Sequence, residues 1–104
     1  MKDTYYAISG YIPPDEEGVV NVSLYKLCAI GSEKNRKYIW IAINYNGGIG
    51  TATDIHDENI EDAILLVHKY MDEVWNVGKY TFEEAMNIYN DITKQLERQL
   101  TNKK

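Results

Sequence analysis

Two rhythms of hydrophobic and polar residues divide the chain near Thr53. Before that point apolar residues come in short runs rich in aromatic and β-branched types, which is the signal of strands. The runs are Thr4 to Ile12, Val19 to Ile30 and Lys37 to Tyr45. Pro13 and Pro14 have no amide hydrogen to give a ladder, so the first strand ends by Ile12. IPPDEEG and GSEKNRK are the connectors, and their shortness predicts antiparallel neighbours, because a parallel return needs about a dozen residues or more. The runs therefore form a meander.

Beyond Thr53 the spacing lengthens to that of a helix. Ile60, Ala63, Ile64, Val67, Met71, Val74 and Trp75 share one arc, widened by Leu65, Leu66 and Tyr70, and predict one long amphipathic helix. Asp57 or Asn59 stands where a cap is needed, and Asp54, Asp57, Glu58, Glu61 and Asp62 suit the positive end of the helix dipole. Gly78 fits a break between helices. The segment from Tyr80 to Leu100 then opens on a capping box, Thr81 with Glu84 three residues later, and Tyr80 and Ala85 occupy the staple positions. The expected fold class is α+β: an antiparallel β-meander of three to four strands followed by two amphipathic helices packed on one sheet face. A single domain over residues 1–100 and a flexible tail at 101–104 complete that expectation.

In regular strands alternate residues share a face. One face collects Tyr6, Ile8, Ile12, Val20, Val22, Leu24, Cys28, Ile30, Ile39, Ile41 and Ile43, and this is the face the helices are expected to cover. The other collects Tyr5, Ala7, Tyr11, Tyr25, Leu27, Tyr38, Trp40 and Ala42, mixed with Ser9, Asn21, Ser23 and Asn44. Left to solvent, that second face is aromatic enough to suggest an interface, where tyrosine and tryptophan are enriched. Tyr5, Tyr11, Tyr25, Tyr38 and Trp40 are thus candidate partner-binding residues. Lys26 falls on the aliphatic side and predicts a bulge or register change there.

The glycine-rich stretch NYNGGIGTATD, from Asn44 to Asp54, lacks the following lysine of a phosphate loop. Asn46 and Gly47 are instead a favoured pair for the tight turn of a hairpin, which predicts a weak fourth strand after it.

Charge adds direction to the interface reading. The 104 residues carry a formal net charge of -5. Residues 1–53 hold five acids and five bases, and the later residues hold eleven acids against six bases, so the excess lies in the second half. Direct binding to nucleic acid or to an anionic membrane needs a positive field, and Lys34, Arg36 and Lys37 give only a small patch. Asp57, Glu58, Glu61 and Asp62 offer the opposite: an acidic helical surface suited to a basic partner, including a nucleic-acid-binding protein whose groove it would occupy as a mimic. A homodimer through the aromatic face is the other protein contact considered. The lone Cys28, flanked by apolar residues, reads as a small core side chain in a reducing, cytoplasmic setting.

Catalytic chemistry finds little support. His56, Asp57 and Asp54 are the nearest approach to a metal cluster, yet His68 is remote and no HExxH, paired CxxC or EF-hand spacing occurs. No serine has the nucleophile-elbow context. No catalytic, metal or cofactor-binding residue is therefore assigned, and a non-enzymatic protein-interaction domain, an inhibitor or regulator, is expected. A small-molecule or nucleotide-binding domain using the aromatic face or the central loop is the alternative.

The run YYAISGYIPPDEEGVVNVSL, followed later by an amphipathic helix, resembles the opening strands of small antitoxins of the HicB type. The resemblance covers about a fifth of the chain. It implies a partial ribonuclease H-like domain that neutralises a toxin. Two of that family's features are not predicted here: a strand between the two helices and a C-terminal DNA-binding segment.

Overall fold

A computed structural model describes residues 4–12, 20–43, 51–71 and 73–101. Along the chain run β1 (Thr4–Tyr11), β2 (Asn21–Ile30), β3 (Lys37–Ile43), β4 (Thr51–Asp57), α1 (Ile60–Tyr70), β5 (Glu73–Tyr80) and α2 (Phe82–Thr101). The five strands form one sheet in the order β4-β3-β2-β1-β5, every pair antiparallel. The meander follows the alternation of its residues, and the fourth strand is present. The Asn46–Gly47 turn, the 13–19 connector and residues 102–104 lie outside the described residues.

The element that departs from the hydrophobic pattern is β5. Met71, Val74 and Trp75 happen to continue the helical spacing of α1, but the helix stops at Tyr70 and Met71 turns extended at φ -87° and ψ 153°. Val74, Trp75, Val77 and Tyr80 are strand-favouring types, and the edge of β1 offers them a ladder. Gly78 sits within that strand, opposite Tyr6, rather than between helices. The Tyr80 phenol folds over it, 2.5 Å from where a Cβ would stand, and donates to Asn76 Oδ1 at 2.7 Å. A bulge where β5 meets Ile8 and Ser9 places both Trp75 and Asn76 on the α2 side.

β5 also changes where the helices lie. β4 and β5 occupy opposite edges of the sheet, so α1, which joins them, has to cross the strands between. Eleven residues at the helical rise span about 16 Å, close to the ~19 Å of four strand spacings. α1 packs through Ala63 and Val67 on the face of Ala7, Leu27 and Trp40, with Tyr5, Tyr25, Tyr38, Val74 and Val77 around them. α2 starts just after β5 and packs through Ala85, Met86, Ile88, Tyr89 and Ile92 on the opposite face, against Tyr6, Ile8, Leu24, Val22 and Ile43. Each helix thus has its own face, which corrects the expectation that both share one. Helices joined directly would form a hairpin on one side; a strand inserted between them separates the layers.

Lys26 needs no register change. It pairs with Tyr6 and with Ile41 in unbroken ladders and is half-buried. Cys28 is likewise half-buried, opposite Ile39. Both helix starts are capped by side chains. Asn59 Oδ1 accepts from the Glu61 and Asp62 amides at 2.8 and 3.2 Å. Thr81 and Glu84 close the predicted capping box reciprocally, at 2.9 and 3.1 Å.

Candidate interaction site

The aromatic face predicted to stay open is the one α1 covers. Trp40 is fully buried in it, and its indole N–H donates to the Ala63 carbonyl at 2.9 Å, a direct tie between β3 and α1. Tyr5, Tyr25 and Tyr38 are half-buried around this core. Trp40, Tyr5 and Tyr38 are therefore chiefly packing residues, because the crossover helix uses their rings to close the sheet.

The cover is incomplete at one end. Where β1 leaves the sheet and β2 enters it, Ser9, Gly10, Tyr11, Asn21, Ser23 and Tyr25 face the last residues of α1, Tyr70 and Met71. Together they line a pocket of about 210 Å³. Tyr11 and Tyr70 stand at its rim, 49% and 59% exposed, whereas Ser9 and Met71 are buried at 3% and 8%. Gly10 lets the strands meet closely, since any side chain there would collide with the Asn21 carbonyl. Among the described residues that line the pocket none carries a charged side chain.

Its polar groups are unevenly buried. Among the described residues no fully buried side-chain nitrogen or oxygen lacks a partner. Ser9, itself buried, lines the pocket beside the half-buried Ser23 and the exposed Asn21. Met71 at the end of α1 gives its N–H to the Val67 carbonyl at 3.0 Å. The carbonyls that follow Val67 in the last turn have no partner inside the helix and carry the negative end of its dipole. Tyr70 already attracts a cation, the Lys69 ammonium lying 5.2 Å from its ring centroid.

The candidate acids gather elsewhere. Asp57 ends β4, and Glu58, Glu61 and Asp62 are exposed around the start of α1, the length of that helix away from Tyr70. Asp57 Oδ1 accepts from the Asn59 amide at 2.9 Å, so part of this acidity organises the helix start. Lys37, His56, Asp57 and Glu58 share a depression at the β3–β4 edge. Among the described residues no group of three or more His, Cys, Asp or Glu side chains is arranged to hold a metal ion, and no helix is long and apolar enough to cross a membrane.

Of the candidate partner-binding residues the pocket brings together Tyr11 and Tyr25 alone. Ser9, Asn21 and Ser23 were legible as their companions on one sheet face, by alternation. Tyr70 and Met71 were not, because only the crossover of α1 carries its end to that place. Comparison with protein-family models, with curated proteins and with solved structures finds no match.

Proposed function

We propose that this chain is a small non-enzymatic protein-interaction domain that receives a projecting side chain of a protein partner between Tyr11, Tyr25 and Tyr70. The observation that carries this reading is the pairing of two half-exposed tyrosines with a buried floor of Ser9 and Met71 at an end of the aromatic face that α1 leaves uncovered. Rigid aromatic rims around a desolvated floor are how interfaces concentrate binding energy on a few residues. The volume, about 210 Å³, lies below the ~300 Å³ at which pockets for drug-sized molecules begin. It suits one side chain better than a nucleotide.

A second reading is favoured by β5. The strand between the helices is a HicB-type feature that the hydrophobic pattern did not predict, so the partner in that version is a toxin that this domain neutralises. The interaction reading is tested by selecting random displayed peptides against the wild-type chain and counter-selecting against the Tyr11→Ala, Tyr70→Ala double variant. Selected peptides should shift the amide resonances of Ser9, Gly10, Ser23, Tyr70 and Met71. Peptides that leave those resonances unmoved, or a small molecule found bound there by native mass spectrometry, reject it.

A further inference from the structure

We infer that the strip of sheet over β3 and β4 on the α2 side is a second docking surface, taken by an amphipathic helix of a partner whose apolar stripe is flanked by aspartate or glutamate. α2 packs on β2 and β5 and gathers Tyr6, Ile8, Leu24, Val22 and Ile43. Alternation from Leu24 puts Lys26, Cys28 and Ile30 on the same side, and the ladder sets Ile41, Ile39 and Lys37 opposite them. Among the described residues neither helix core includes Cys28, Ile30, Ile39 or Ile41, and Ile30 is 46% exposed. A helix is about 10–12 Å across and the outer strands stand ~19 Å apart, so α2 leaves room for one more helix beside it.

Charge selects an acidic helix. Lys26 is half-buried within the strip and Lys37 is exposed at its end, and His56, opposite Ile39, belongs to the same side. Lys34 and Arg36 stand beside them in the β2–β3 connector, against Glu33. Of the other acids nearby, Asp57 pairs with Tyr38 and so falls on the α1 side. Asp54 lies in the irregular stretch of β4 between its pairs with Ile39 and Ile41, and Glu58 shares a rim depression with Lys37, His56 and Asp57. The strip is thus basic in a chain whose net charge is -5. A second copy is a poor occupant: face to face it would set Lys26 and Lys37 against their counterparts, and the last turns of α2 carry Lys94 and Arg98 against Glu97. The isoleucine floor gives nucleic-acid bases no platform to stack on, and the net charge repels anionic lipid. Carboxylates beside an apolar stripe answer the lysines and the isoleucines together.

The test uses the full chain and three helical peptides that share one leucine stripe and differ only in its flanking residues, which are glutamate, glutamine or lysine. The glutamate peptide should move the amide resonances of Lys26, Cys28, Ile30, Ile39 and Ile41 and bind about tenfold more tightly than the glutamine peptide, with the lysine peptide weakest. The Lys26→Glu, Lys37→Glu double variant should reverse that order. Should it fail to fold, Lys37→Glu alone, at an exposed position, should still narrow the preference. Ile30→Asp should weaken all three peptides, whereas the Tyr11→Ala, Tyr70→Ala variant should bind them as the wild type does, which separates this surface from the pocket. Equal binding of the three peptides, a preference for lysine, shifts confined to the pocket resonances or no shift at all overturns the inference and leaves the pocket reading standing. Vesicles of anionic phospholipid that move the strip resonances while the glutamate peptide does not would overturn it in favour of a lipid surface.

Discussion

The two faces of the sheet are closed by helices of different length and different duty. α2 has 20 residues and hangs from β5 by one end, free to lie along its face. It buries Ala85 on Tyr6, Ile8 and Leu24, and Trp75, Tyr80, Tyr89 and Ile92 close in around them. The Tyr89 hydroxyl also reaches back across the layer to the Val22 carbonyl at 3.2 Å. α1 has 11 residues and is tethered at both ends to opposite sheet edges. It seals the middle of its face around Trp40 and ends with Tyr70 still exposed. A connection that must reach from edge to edge has no residues to spare for the ends of the strands. The opening is thus a consequence of connectivity rather than of a weak core.

That contrast can be broken from the core outward. Trp40→Ala should have the largest effect, about 3–5 kcal/mol by denaturant unfolding, since it removes the ring under α1. Trp40→Phe keeps much of the packing and loses the bond to Ala63, costing about 1 kcal/mol. On the other face Ala85→Leu should cost about 1–3 kcal/mol by forcing α2 away from Tyr6 and Ile8. Hydrogen exchange should then speed up in α2 while the amides of α1 stay protected. Equal loss of protection in both helices would show that the faces do not behave as separate layers.

Smaller changes sharpen the same comparison. Thr81→Ala removes one half of the capping box and should lower stability by about 1 kcal/mol, with fraying seen by NMR in the first turn of α2 only. The smallest expected effect concerns alkaline pH. Burial on the α2 side pushes the Tyr6 phenol above its ordinary value of 10.0, and Cys28 adds to this. A raised folded-state pKa means the folded chain holds the proton more tightly. Its contribution is fully present below pH 10, and stability falls as pH rises from there through the folded-state value. Tyr6→Phe should flatten that fall in pH-dependent unfolding, and an unchanged slope would assign it to other groups.

Much of this was legible from residue order. The β1–β4 meander, the composition of each sheet face, the Asn59 and Thr81 caps and the run of α2 all follow from local spacing. β5 was hidden because Met71, Val74 and Trp75 satisfy the helical period and the strand alternation almost equally over so short a stretch. Of the site, Tyr11 and Tyr25 were legible by alternation, with Ser9, Asn21 and Ser23 beside them. Trp40 looked like an interface residue for the same reason, since a ring on a sheet face reads identically whether a helix or a partner covers it.

The sequence by itself determined which residues share a face, where the helices are capped and how charge is distributed, because these depend on neighbours a few residues apart. The tertiary structure alone decided that β5 pairs with β1, that the helices take opposite faces and that Tyr70 meets Tyr11 and Tyr25 around Ser9. Those outcomes depend on which edge of the sheet is free and how far an 11-residue helix can reach, and no local pattern records either.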